Sequence, residues 1–179
     1  ISTCDGVTST TVHNCVSNVP YDYARGFLSL EEAIIEEGIT SIDAQAFKDC
    51  VSLTNVSMPN TIKTIGTFAF FDCYSLRNIT LSENLETIKK GAFMNTRLSA
   101  VTIPNKVKKI GYAAGDDSHI VPNASQVVST ISKYEGVFEN SDLITVTLNE
   151  GLEIIGARTF NYCSKLSGLT TPSTLKVLG

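Results

Sequence analysis

The chain has 179 residues, enough for one domain that buries a core without disulfide support, and it carries a formal net charge of −4. That acidic balance argues against nucleic acid or an anionic membrane surface as partner. No apolar run approaches the roughly 18 residues of a membrane span, so no membrane insertion is expected within this segment. Charged residues are only 18% of the chain and Trp is absent, while hydroxyl and amide side chains are abundant, a profile that favours β-rich structure.

The first residues, ISTCDG, show neither a starting Met nor a basic-then-apolar leader, so the segment reads as a piece of a longer or processed protein. Residues 1–27 match none of the periodicity that follows and are expected to form an N-terminal cap. Val12, Val16, Tyr21, Tyr23 and Phe27 supply apolar material for it.

From residue 28 the chain repeats. LSLEEAIIEEGITSIDAQAFKDC (28–50), VSLTNVSMPNTIKTIGTFAFFDC (51–73) and YSLRNITLSENLETIKKGAFMNT (74–96) are each 23 residues long with no gap. In the first of these, Ser29 and Glu32 have the spacing of a helix capping box. AIIEEGITSI nevertheless keeps the repeat register and is read as strand. A fourth copy runs from Arg97 to Ala114 and is interrupted by an insertion at about 115–136. The pattern resumes at VFENS, continues through 142–163, and starts once more in SKLSGLTTPSTLKVLG, a truncated last copy ending at Gly179. Leu53, Leu76, Leu98, Leu143 and Leu166 hold one column. Ile65, Ile88, Ile110 and Ile155 hold another, and Phe47, Phe70, Phe93, Phe138 and Phe160 a third.

A copy of this length cannot bury its apolar side alone, so the copies must stack around a shared core. Leu53, Val56 and Met58 end in strand-like alternation, and Pro59, which has no N–H for a ladder, stops the strand; Pro104 and Pro172 stand at the same phase. The segment Ile62–Phe70, whose apolar spacing fits neither a helix nor a strand, turns the chain back to the next strand. The expected fold is a solenoid of about six repeats with parallel strands stacked on one face.

The block formed by Leu53, Val56, Pro59, Ile62, Ile65, Gly66, Ala69, Phe70 and Cys73 resembles, position by position, the BspA-like subclass of leucine-rich repeats. The Asn or Cys that ordinary leucine-rich repeats place just after the strand is missing, which favours that subclass. The resemblance covers about 28–179 apart from the insertion. It implies a leucine-rich repeat solenoid, α/β or mostly β, that binds its partner on a concave, strand-lined face. It also implies a secreted or cell-surface location and adhesion to host, matrix or cellular proteins by a bacterium or a protozoan parasite.

On that face the outward residues are Asn55 and Ser57, Asn78 and Thr80, Ala100 and Thr102, Thr145 and Thr147, and Gly168 and Thr170. Ser57, Thr80, Thr102, Thr147 and Thr170 form an uncharged column of hydroxyls. Two readings stand: a platform for a protein or glycan ligand, or merely residues that suit a solvated strand surface. The insertion is read either as a decayed copy or as a protruding contact element.

Cys50, Cys73 and Cys163 share a phase that Thr96 and Ser141 fill in other copies, so the column asks for a small residue at a bend rather than a thiolate. Cys50 and Cys73, one coil apart, could pair given suitable geometry. Cys4 and Cys15 could bridge within the cap, a short loop worth about 3 kcal/mol. Cys4, His13 and Cys15 fit no closed zinc site, and no metal or cofactor is expected. Of three N-x-S/T triplets, at Asn55, Asn78 and Asn123, the last is the favoured candidate for glycosylation because the other two lie on strands. The two histidines, His13 and His119, have no nucleophile signature beside them, and no catalytic motif occurs, so an enzyme is not expected. The function read from the sequence is a non-catalytic extracellular or cell-surface binding module. The alternative is a spacer within a larger surface protein; partner identity and oligomeric state stay open.

Overall fold

The structure is a computed structural model in which residues 9–12, 17–111 and 136–179 are described. Among them no helix forms, and the chain runs as a parallel β-coil. In chain order the strands are β1 (Ser9–Val12), β2 (Asn18–Val19), β3 (Glu32–Ile35), β4 (Ser41–Ile42), β5 (Asn55–Ser57), β6 (Thr64–Ile65) and β7 (Thr87–Ile88). There follow β8 (Ala100–Ile103), β9 (Lys109–Ile110), β10 (Thr145–Leu148), β11 (Ile154–Ile155), β12 (Gly168–Thr170) and β13 (Val177–Leu178). Each coil but the third, which supplies only β7, thus contributes to two ladders. The back ladder joins the short strands into one seven-stranded sheet, β2-β4-β6-β7-β9-β11-β13. The front ladder is split into β1-β3-β5 and β8-β10-β12.

Copy-to-copy register follows from the repeat length. Ile65 pairs with Ile42 on one side and Ile88 on the other, and Val146 pairs with Val101 and Leu169. Because a strand alternates faces, one residue of slip would expose the whole apolar set, so burial pins the pairing. In β8 and β10 the alternation is clean, with Ala100, Thr102, Thr145 and Thr147 exposed and Val101, Ile103, Val146 and Leu148 buried.

The core is organised by the phenylalanine column. Phe47, Phe70, Phe93 and Phe138 are fully buried. Their rings stack with centroids 5.3, 5.3 and 5.5 Å apart and planes within 3° of parallel, and Phe160 continues the stack at 5.9 Å. Each ring's backbone is tied to the next coil: Phe47 N–H donates to Ala69 O at 2.8 Å, Phe70 N–H to Ala92 O at 2.8 Å, and Phe93 N–H to Val137 O at 2.9 Å.

The odd spacing of the return segment has a backbone cause. In the second copy Phe68 (φ 57°) and Asp72 (φ 61°) are both left-handed, and so are Gln45 and Asp49, then Gly91 and Asn95, at the same phases. Two left-handed residues four apart bend the chain sharply between the ladders. Asp and Asn suit the second of them because their short polar side chains tolerate that conformation. Gly91 is further constrained because a Cβ there would lie 2.3 Å from the Phe68 ring of the preceding coil. At the Gly66 phase the restriction is different: a Cβ would come within 2.5 Å of the Asp43 backbone. From residue 43 to 111 this column alternates side chain and glycine, as Asp43, Gly66, Lys89 and Gly111, so each described side chain there has a glycine beside it.

The parallel pairing does not stop at the expected cap boundary. Ser9–Val12 pairs with Glu32–Ile35 and Asn18–Val19 with Ser41–Ile42, both at the repeat offset. The described residues before 28 therefore form a further, diverged turn of the coil. Ala24 stands in its phenylalanine column, so the aromatic stack ends there, and Tyr23 closes it edge-on to Phe47 (6.0 Å, 69°). The Ser29–Glu32 spacing caps no helix, since Glu32 opens β3. At the other boundary, Gly136 is already part of the coil. It is buried, and a Cβ on it would lie 1.8 Å from Arg158 O, so the insertion ends before it. The rest of the expected insertion lies outside the described residues.

Candidate binding face

The sequence-nominated face exists as an exposed surface. Asn55, Ser57, Asn78, Thr80, Ala100, Thr102, Thr145, Thr147, Gly168 and Thr170 are all exposed, while Val56, Val101 and Val146 between them are buried. The hydroxyl column is therefore brought together by stacking, one side chain per coil. The asparagines differ from one another. Asn55 Nδ2 donates to Glu32 Oε1 of the preceding coil at 2.9 Å, whereas the Asn78 side chain makes no hydrogen bond among the described residues.

The expected parallel strands stack on this face, with one interruption. Residues 78–80 form no strand, and the front ladder is broken there into its two halves. The coils remain in contact around the break: Ser99 N–H donates to Arg77 O at 3.1 Å, and on the back β6 and β7 stay paired. The fault coincides with a length change. Cys50 to Leu53 and Cys73 to Leu76 span three residues, but Thr96 to Leu98 and Ser141 to Leu143 span two. The shorter link does not by itself break pairing: β9 follows it and still pairs with β7, and β10 follows the second short link and pairs on both sides.

Behind the face, Cys50, Cys73 and Cys163 are buried free thiols, so the Cys50–Cys73 bridge is not formed. Each donates to a carbonyl of the preceding coil: Cys50 Sγ to Ala24 O at 3.0 Å, Cys73 Sγ to Phe47 O at 3.2 Å, and Cys163 Sγ to Phe138 O at 3.1 Å. Thr96 Oγ1 donates instead to Phe93 O of its own coil at 2.9 Å. The column thus selects a small donor at the bend, which explains why Cys, Thr and Ser interchange. Burial pushes the Cys50 thiol up to about 12 and the Cys73 thiol well above the ordinary range, so neither is a thiolate at neutral pH.

A buried carboxylate escaped the sequence reading. Glu139, 4% exposed, takes Arg158 Nη2 at 2.7 Å and Asn161 Nδ2 at 2.9 Å on Oε1, and the Gly136 N–H at 3.0 Å on Oε2. It ties the coil that resumes after the insertion to the coil that follows. The only signal was an acidic residue next to an inward Phe, which is too common to select. Among the described residues no group of three His, Cys, Asp or Glu side chains could hold a metal ion. No described helix is long and apolar enough to cross a membrane. Asn123, His13, His119, Cys4 and Cys15 lie outside the described residues.

With the coil, its register and the aromatic spine in place, comparison with known proteins decides the family. A model of the BspA type leucine rich repeat region, in six copies, matches residues 2–121 and 123–179. The chain belongs to the BspA-type leucine-rich repeat family. The match begins well before residue 28, as the diverged first turn requires. Among solved structures, this BspA-type chain is similar to a leucine-rich repeat protein from Bacteroides ovatus at 22% identity and a TM-score of 0.59, covering 89% of this chain and 36% of that one. Another, from Eubacterium ventriosum, aligns at 20% identity and a TM-score of 0.63 over 82% of this chain and 33% of that one. The T. pallidum leucine rich repeat protein aligns at 20% identity and 0.58 over 89% and 78%. The chain thus spans about a third of the length of the first two. These likenesses show the fold. No curated protein sequence matches the chain.

Proposed function

We propose that the chain is a non-catalytic binding module of a secreted or cell-surface protein and that the front face is where it meets its partner. The observation that carries this reading is the row of exposed, uncharged side chains on one face, Ser57, Thr80, Thr102, Thr147 and Thr170, the last three held in register by strand pairing. A face with little charge loses little desolvation energy when covered, and short hydroxyl side chains give up little rotamer entropy. Stacking fixes their spacing in advance, so much of the ordering that binding requires is already done. Family membership supports a recognition role, with adhesion as its specific form. The spacer reading needs no such face.

Selection of displayed folded protein fragments and a printed glycan array, each probed with the chain and with its Thr80→Arg, Thr102→Arg, Thr147→Arg variant, separates the two. Ligands held by the parent and lost by a variant that melts at nearly the same temperature support recognition through this face. Ligands retained equally by both remove this face as the contact surface. A chain that retains nothing favours the spacer.

A further inference from the structure

Two pockets open on the front face at the fault. The larger, about 800 Å3, is lined by residues 78–81 and 100–102 and by the turn residues Asn84, Asn105 and Lys106. The smaller, about 410 Å3, has Glu37 and Glu83 on its rim and Ile35, Met58, Pro59 and Leu81 among its walls. Thr80, Leu81 and Glu83 line both, so the two form one groove across successive coils. Its size is that of a ligand site.

The groove carries unused bonding capacity of two kinds. Among the described residues Asn78–Leu81 make no hydrogen bond through backbone or side chain, whereas the equivalent residues of the second and fourth copies are in strands. The backbone there faces the neighbouring coils, which stay in contact through Ser99 N–H to Arg77 O at 3.1 Å, but the exposed Asn78 and Thr80 side chains are open to the polar groups of a ligand. The carboxylates of Glu37 and Glu83 have neither a hydrogen bond nor an ion pair among the described residues. Met58, Pro59 and Leu81 lie beside them, an arrangement that suits a long cationic side chain, with its alkyl stem on the apolar wall and its head between the carboxylates. Neither pocket is lined by an aromatic ring, so a sugar would find no stacking surface there.

Building on the reading of the front face as a binding surface, we propose that this groove docks an extended polypeptide segment of the partner, with a Lys or Arg side chain between Glu37 and Glu83 and polar contacts to the Asn78 and Thr80 side chains.

The test is a selection of random short peptides on the immobilised chain. Recovered peptides should share a Lys or Arg at one position and bind more weakly as salt is raised. Replacing both carboxylates, Glu37→Gln with Glu83→Gln, should weaken them about tenfold. Recovery of no peptide, peptides without a basic residue, or affinity untouched by the Gln variants overturns the proposal. So does a glycan whose binding depends on the same two carboxylates. A Thr145→Arg, Thr147→Arg variant, altered outside the groove, keeps the two levels apart. Ligands lost only to it leave the front face as the binding surface and remove the groove. Ligands indifferent to every variant remove both.

Discussion

The back of the coil and its front obey different rules. On the back, seven short strands pair without a break, and the phenylalanine rings behind the return bends stack at nearly constant spacing from Phe47 to Phe160. On the front, longer strands with a better alternation of buried and exposed residues are cut in two at the third copy. Strand length is therefore not what holds the coils together. The continuous element is the one that buries large side chains from every copy, in keeping with burial as the dominant favourable term in folding. Front pairing is secondary, and it can lapse in one coil while the coil remains in place.

That contrast is broken most directly by emptying the spine. Phe70→Ala should destabilise the fold by about 3–5 kcal/mol in urea titration, since the ring is fully buried between two others. A loss as small as that of a surface change would show that the spine is not the main support. Next in size is Gly91→Ala, which places a Cβ against Phe68 at a left-handed residue and should cost about 1–3 kcal/mol by the same titration.

The thiol column sharpens the comparison through pH. The folded Cys50 thiol titrates at about 12 against 9.0 for the ordinary thiol, and that of Cys73 is also raised. The unfolded chain therefore releases these protons first, and the stability linked to them is complete below pH 9 and declines from there toward pH 12. Urea midpoints should fall between pH 8 and pH 10.5, and less so in Cys50→Ser, Cys73→Ser. An equal slope in that variant would exclude the thiols as the cause. Smallest of all, Thr102→Arg should change stability by no more than about 0.5 kcal/mol, because its side chain is exposed and no core contact is lost. A large loss there would mean the front is structural after all.

The fold was legible because its information is periodic. Leu, Ile and Phe columns survive substitution elsewhere, and a ladder at fixed offset needs nothing more. The first turn was hidden because Ala24 and Phe27 stand where later coils have Phe and Cys, so the two loudest columns are silent in it. The exposed face could be read from alternation alone. Its fault could not, because NIT in the third copy has the same polar–apolar–polar pattern as NVS in the second. Nor does link length mark it, since the short link that follows the third copy recurs before β10, which pairs on both sides. Glu139 stayed hidden for another reason: its partners Arg158 and Asn161 belong to the next coil, and no local pattern joins them.

The break in the front ladder at residues 78–80 has a counterpart in crystals. It behaves as an edge dislocation, where a row is missing on one side of a lattice while the planes on the other side remain aligned. Such defects are where foreign atoms collect. In this molecule the aligned planes are aromatic, and a local break that leaves them in step can alter the chemistry of the surface without touching the support beneath it.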